Sequence, residues 1–155
     1  MRIGFGYDVH ALKEGRPLWI GGIRIEHPLG LDGHSDADVL IHALCDALLG
    51  AANLRDIGYH FPDTAEKYKD IDSKLLLHET MLLIRKTGLN VANIDATIVA
   101  EQPKLSPYLP NMQQTLAEVM CVPVNDISIK ATTTERLGFT GRQEGIAAYV
   151  VVLIK

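Results

Sequence analysis

The sequence predicts an α/β (α+β) fold, a single-domain sandwich in which a mainly β-sheet layer is covered by helices. Three observations carry that prediction. The chain has 155 residues, 47% apolar and 22% charged, an ordinary globular composition with enough length for one domain and a substantial core. Segments rich in β-branched residues interleave with helix-patterned ones in the order ββ, α, α, β, α, β, β, which argues for helices packed on a sheet. Near its end the chain carries a continuous apolar run, Ile146–Ile154, which reads as a strand covered on both faces. No repeat, low-complexity tract or linker divides residues 1–155, so one domain is expected.

Each element has its own signal. Residues 2–8 and 18–25 are expected to pair as strands, with Lys13-Glu14-Gly15-Arg16-Pro17 turning between them. Ser35 is expected to open a helix running to about Ala52, because Ser35-Asp36-Ala37-Asp38 is similar to a capping box with Asp in the third position. A second helix runs from Ser73 to Gly88, with Arg85 and Lys86 in the last turn, where the helix dipole favours cations. Val91–Ala100 is a strand. Pro103, Pro107 and Pro110 impose a loop before a third helix, Asn111–Met120. Ile127–Thr133 alternates as a strand.

Composition narrows the function classes. Lys+Arg 15 against Asp+Glu 19 gives a net charge of −4, and this balance gives no head start to a nucleic-acid binder, which needs a basic face. Cys45 and Cys121 stand among apolar neighbours and read as buried thiols. The N-terminus turns polar at Asp8, and no apolar run approaches the roughly 20 residues of a membrane span. A soluble intracellular protein of a reducing compartment is the expectation.

The chemistry concentrates in a few places. Asp8 and His10 stand two apart at a strand end, so both point to one face. Asp38, His42 and Asp46, spaced i, i+4, i+8, form an ionisable stripe on an otherwise apolar helix. Burying such a stripe unpaired costs several kcal/mol, so it should face a site, a partner or water. One Asp and two His with an open position form a catalytic Zn²⁺ set, and Asp46 is a candidate for orienting a ligand. Spacing alone leaves the bland alternative open, since Asp-x-His pairs and lone helical histidines are common. Gly33-His34-Ser35 lies where a helix N-terminus would hold phosphate.

Lys130-Ala131-Thr132-Thr133-Thr134-Glu135 offers hydroxyls and backbone N–H groups to a phosphate, with Glu135 placed for Mg²⁺; its alternative is a plain strand end. Asp56-Ile57-Gly58 and Phe61-Pro62-Asp63-Thr64 read as a flap whose carboxylates suit polyol hydroxyls, or as an ordinary surface connection. Ala100-Glu101-Gln102-Pro103-Lys104-Leu105 is a proline-bounded loop able to read a base edge. The Gly4-Phe5-Gly6 doublet lacks the third glycine of a dinucleotide fingerprint.

Taken in order, Gly6-Tyr7-Asp8-Val9-His10, Gly33 to Val39, Asp46 to Gly50, Asp56-Ile57-Gly58, His60 to Thr64, Asp95-Ala96-Thr97, Pro103-Lys104-Leu105, Lys130 to Glu135 and Leu137 to Arg142 span essentially the whole chain. This ordered set resembles the 2-C-methyl-D-erythritol 2,4-cyclodiphosphate synthase family of the non-mevalonate isoprenoid pathway. The resemblance implies a lyase that closes a cyclic diphosphate from 4-diphosphocytidyl-2-C-methyl-D-erythritol 2-phosphate and expels CMP. It implies Zn²⁺ on Asp8, His10 and His42, Mg²⁺ or Mn²⁺ on Glu135, and transition-state stabilisation by His34 and Thr133. It also places Asp8, His10, His34 and Ser35 against the substrate. Asp56, Ile57, Gly58, Phe61, Pro62, Asp63, Thr64 and Ala65 would hold the methylerythritol part. Ala100, Glu101, Gln102, Pro103, Lys104, Leu105 and Ser106, with Thr132, Thr133, Thr134 and Glu135, would hold the cytidine diphosphate part, and Phe139 and Arg142 would lie nearby.

The same resemblance implies a homotrimer with sites between subunits around a central channel, where an isoprenoid diphosphate is a further candidate partner. Tyr59, Glu66 and Tyr149 depart from the family pattern. The rivals are a metal-dependent phosphoester hydrolase using the same Asp/His/His set and a non-catalytic nucleotide- or isoprenoid-binding module.

Overall fold

The computed structural model describes residues 1–155. In chain order the elements are β1 (Arg2–Glu14), β2 (Leu18–Ile20), β3 (Ile23–Ile25), β4 (Leu29–Leu31), α1 (Val39–Ala51), α2 (Ile57–His60), α3 (Ser73–Lys86), β5 (Val91–Val99), α4 (Leu109–Met120), β6 (Ile127–Thr132), α5 (Gly138–Gly141) and β7 (Gly145–Ile154), with short 3₁₀ turns at Glu66–Tyr68, Ser106–Tyr108 and Val124–Asp126. Five strands form one mixed sheet in the order β4-β1-β7-β5-β6, antiparallel except for β5 beside β6. Helix α1 packs on β1 and β7, α4 lies against β6, and α3 bridges α1 and α4. One cluster of 33 buried residues forms the core.

The expected α/β sandwich is therefore present, with several corrections. Residues 2–8 do not pair with 18–25. β1 runs on through Lys13 and Glu14, pairing with β7 along Arg2–Ala11 and with β4 along Leu12–Glu14. Residues 18–25 fold on themselves as a β2–β3 hairpin, because Gly21 and Gly22 both take positive φ, as a two-residue hairpin turn requires.

The first helix begins after Asp38, not at Ser35. Ala37 takes φ 58°, which breaks the helical path, and Asp38 is the residue whose carboxylate caps Ile41 N–H. The third helix starts at Leu109, since Pro110 fits a first helical turn, where no N–H is needed. Cys45 is buried but Cys121 is exposed. Cys121 ends α4 in the left-handed conformation, which turns it out of the core. The second helix and the strands at 91–99, 127–132 and 145–154 stand within two residues of expectation.

β7 departs from the expected cover on both faces. Ile146, Ala148, Val150, Val152 and Ile154 are buried beneath the helices, whereas Tyr149 and Val151 are exposed. Beside them Ile3, Phe5, Tyr7 and Val9 of β1 are exposed too, Ile3 at 73% and Phe5 at 62%. The rest of that bare face, Asn93, Asp95 and Thr97 of β5 with Ser128, Lys130 and Thr132 of β6, is polar. Lys130 and Asp95 form an ion pair across it.

Candidate metal centre and nucleotide cavity

The covered face of β1 carries Gly4, Gly6, Asp8 and His10 in alternation. A Cβ at Gly4 would stand 1.9 Å from Ala47 O, and one at Gly6 the same distance from Ala43 O. These two glycines thus let the α1 backbone lie against β1. The doublet is a helix-packing surface, and the close approach sets His42 beside Asp8 and His10.

Three donor atoms converge there. His10 Nε2 lies 2.9 Å and His42 Nδ1 3.3 Å from Asp8 Oδ2, and the two ring nitrogens are 3.1 Å apart. Donors held at about 2.0–2.1 Å around a tetrahedral ion stand about 3.3 Å from one another, so the spacing fits a metal. The other ring atoms support it. His10 Nδ1 faces Asp32 O at 2.7 Å, so it carries the proton and Nε2 presents a lone pair. Asp8 Oδ2 is buried without an aligned hydrogen bond. Burial alone would raise the Asp8 carboxyl, but the adjacent His10 and His42 outweigh it and hold it down to about 2. Burial would likewise lower His10, and the Asp8 carboxylate with the Asp32 carbonyl outweighs it, leaving the pKa raised. Asp8, His10 and His42 form a three-ligand group that could hold a metal ion.

The α1 stripe expected from sequence divides three ways. His42 alone faces the metal site. Asp38 is fully buried and accepts N–H bonds from Gly21 at 2.9 Å, Gly22 at 2.7 Å and Ile41 at 3.0 Å, tying the hairpin to the helix start. Asp46 does not orient His42. Its Oδ1 accepts from Ile57 N at 2.7 Å and so holds α2; burial, then Asp56 and Asp8 nearby, raises its pKa. Ser35, no helix cap, accepts from Ala37 N and lies 3.1 Å from His42 Nε2.

A cavity of about 380 Å³ opens over the triad, and His34, Ser35, Ile57, Gly58, Phe61 and Asp63 line it as well. Four residues of the expected flap thus border the same cavity as the triad. Asp56 instead caps α2 by accepting from Tyr59 N. Pro62, Thr64 and Ala65 are not in the wall, although Ala65 O lies 3.4 Å from His34 Nε2. Sequence reasoning missed Tyr68, Ile71 and Leu76, which complete the wall. Leu76 lies on the apolar stripe of α3, and nothing in that stripe marked it as a wall of the site.

A second cavity of about 370 Å³ gathers Ala100, Glu101, Gln102, Pro103, Lys104, Leu105 and Ser106 with Ala131, Thr132 and Thr133. The two predicted nucleotide loops are thus neighbours. Thr134 turns away, donating to Leu137 O and meeting Thr140 Oγ1. Glu135 and Phe139 are exposed outside both cavities, and Thr133 Oγ1 lies 3.3 Å from Glu135 Oε1. Arg142 is paired with Glu144 at 2.8 and 3.1 Å. His34 and Thr133 therefore line different cavities. In the sheet, Asp8 stands opposite Ala148, Ala148 opposite Ile98 and Ile98 opposite Ala131, three strand spacings or about 14 Å across.

The YgbB family model matches residues 1–155. A 2-C-methyl-D-erythritol 2,4-cyclodiphosphate synthase of Parabacteroides distasonis is 72% identical over 155 residues, covering 100% of this chain and 96% of that one. The bifunctional IspDF of Campylobacter jejuni superposes with a TM-score of 0.96 at 44% identity, and this chain spans 99% of itself but 42% of that longer protein. A 2C-methyl-D-erythritol-2,4-cyclodiphosphate synthase in a CDP-bound form matches with a TM-score of 0.91 at 37% identity, over 99% and 100% of the two chains.

Proposed function

Because this chain belongs to the YgbB family, we propose that it converts 4-diphosphocytidyl-2-C-methyl-D-erythritol 2-phosphate to 2-C-methyl-D-erythritol 2,4-cyclodiphosphate and CMP, with residues 1–155 as one synthase domain of the bacterial cytoplasm. The observation that carries the reading is the meeting of the Asp8, His10 and His42 donor atoms on the wall of a cavity that residues of the 57–63 segment also line. In this reaction a 2-phosphate oxygen attacks the β-phosphorus of the same molecule. The bond from that phosphorus to the CMP oxygen breaks, and CMP leaves with the electron pair. No protein nucleophile takes part, so the enzyme must hold two anionic groups in line and stabilise charge.

Zinc on Asp8, His10 and His42 and Mg²⁺ or Mn²⁺ on Glu135 would supply the positive charge that neutralises phosphate oxygens. Glu135 suits the second ion, since it is an exposed carboxylate and Mg²⁺ binds through one or two carboxylates with phosphate and water. His34 and Ser35 present polar hydrogens to the 2-phosphate, while Ile57, Gly58, Phe61 and Asp63 enclose the methylerythritol part, Asp63 accepting its hydroxyls. The loop 100–106 offers backbone groups to the cytosine. Thr132 and Thr133 offer hydroxyls to the diphosphate, and Thr133 with His34 stabilises the transition state.

His34 and Thr133 line different cavities, with Asp8 of one and Ala131 of the other about 14 Å apart across the sheet, and β1 and β7 present an exposed apolar face. Both observations support a homotrimer in which one subunit's metal cavity meets its neighbour's nucleotide cavity. The β1–β7 faces would then surround a central channel, with Arg142 near one end and an isoprenoid diphosphate as its candidate ligand. Incubating the protein with substrate, zinc and Mg²⁺ tests the activity. Cyclic diphosphate with CMP is expected; a linear product would establish the hydrolase instead, and no turnover the binding module. Light scattering should give about three times 17.0 kDa; a monomeric mass would end the shared-site reading.

A further inference from the structure

His42 can serve as a metal ligand through Nδ1 only if its proton sits on Nε2, and the side chains around Nε2 decide that. Ser73 Oγ lies 3.0 Å and Ser35 Oγ 3.1 Å from Nε2, yet the two hydroxyls are not equivalent. The Ser73 proton is committed, because Ser73 Oγ donates to Asp36 Oδ1 in a short hydrogen bond. The Asp36 carboxylate is itself held in place, its Oδ2 accepting from Ser73 N at 2.9 Å and its Oδ1 from Asp38 N at 3.2 Å. Towards His42, Ser73 can therefore only accept. The Ser35 hydroxyl accepts from Ala37 N, but its own proton is free to point either way.

We propose that Asp36 and Ser73 are positioning residues that form an Asp–Ser–His relay, fixing His42 as the Nε2–H tautomer and aiming the Nδ1 lone pair at Asp8 Oδ2 and His10 Nε2. Partners outside the ligand set commonly fix a metal histidine in this way. The relay also links the metal site to the segment that leads into α3. Ser73 is the fully buried first residue of α3, and Asp36 N donates to Ile71 O, so the ligand and the segment leading into α3 share one hydrogen-bonded hub. The assignment rests on the metal reading above, and the metal-free tautomer separates the two.

The test is ¹⁵N NMR of the His42 ring at pH 8 in metal-free protein, paired with zinc affinity from chelator competition. The wild-type protein is expected to show the Nε2–H tautomer. In Ser73→Ala the Ser35 hydroxyl becomes the donor to Nε2, so the proton moves to Nδ1 and zinc binding weakens about 10–100-fold. Ser35→Ala leaves the Ser73 acceptor in place and should keep both the Nε2–H tautomer and the zinc affinity. Asp36→Asn, which has the same shape, should act like Ser73→Ala by freeing the Ser73 proton, and it decides the matter if Ser73→Ala does not fold. A folded Ser73→Ala or Asp36→Asn protein that keeps both the Nε2–H tautomer and wild-type zinc affinity would overturn the relay. A wild-type protein that binds no zinc would overturn the metal reading, while its ring tautomer would still decide the relay.

Discussion

The cavity at the Asp8–His10–His42 cluster and the cavity at the 100–106 loop are built by opposite means. In the metal cavity two of the three ligands sit on the covered face of β1 and the third on α1, and the glycine contacts at Gly4 and Gly6 set the distance between those elements. The candidate nucleotide cavity is lined by the loop after β5 and the end of β6, with hydroxyls and backbone groups on exposed chain. Holding three lone pairs about 3 Å apart opposes their mutual repulsion, so it needs stiff elements and buried hydrogen bonds. Reading a base edge or a phosphate needs only free backbone and hydroxyl groups, which loops supply.

Substitutions can break this division. His42→Ala should be the most severe, removing zinc and lowering turnover by about 10³-fold if the ion supplies about 4 kcal/mol. The protein should stay folded, since His42 is only part-buried; full zinc occupancy by elemental analysis would refute the ligand assignment. Thr133→Ala should reduce turnover by about 10²-fold with zinc content unchanged, and mixing it with His42→Ala chains should restore activity in hybrid assemblies. No rescue despite proven subunit exchange would show that each chain works alone.

Gly6→Ala probes the wall between the two designs. The added Cβ meets Ala43 O, so it should cost about 1–3 kcal/mol of stability, several degrees in Tm, and weaken zinc binding. CDP binding in the presence of Mg²⁺ should be nearly unaffected, and an equal loss in both would show that the cavities are not independent.

The thiols give the mildest test. Burial pushes Cys45 up to about 12, so a thiol reagent at pH 8 should modify the exposed Cys121 in the native protein and Cys45 only after unfolding. Because the folded-state pKa is raised, the neutral Cys45 thiol contributes stability that is fully present below the ordinary value of 9.0 and lost as pH rises towards about 12. Cys45→Ser should therefore flatten alkaline unfolding in that window.

Much of the site was legible as residue types in order. The Asp8-x-His10 pair could be read because strand alternation puts both side chains on one face, and the flap and threonine segments because their punctuation marks loops. Asp46 was misassigned because helical spacing says which residues share a stripe but not what each one meets. Asp38, four residues before His42, turns instead to the Gly21–Gly22 hairpin. Ser73 was missed because its partner Asp36 is 37 residues away, beyond any local pattern.

By itself the sequence determined the local chemistry: the order of the long helices and strands, the prolines that bound them, and the kinds of ligand present. These follow from backbone sterics and periodicity within a few residues. Only the tertiary structure decided which groups meet. It brought α1 within backbone contact of β1, committed the Ser73 proton to Asp36, parted the two cavities by three strand spacings and left one face of the sheet bare. Those outcomes depend on packing between segments far apart in the chain, where a shift of about 1 Å turns a metal ligand into a bystander.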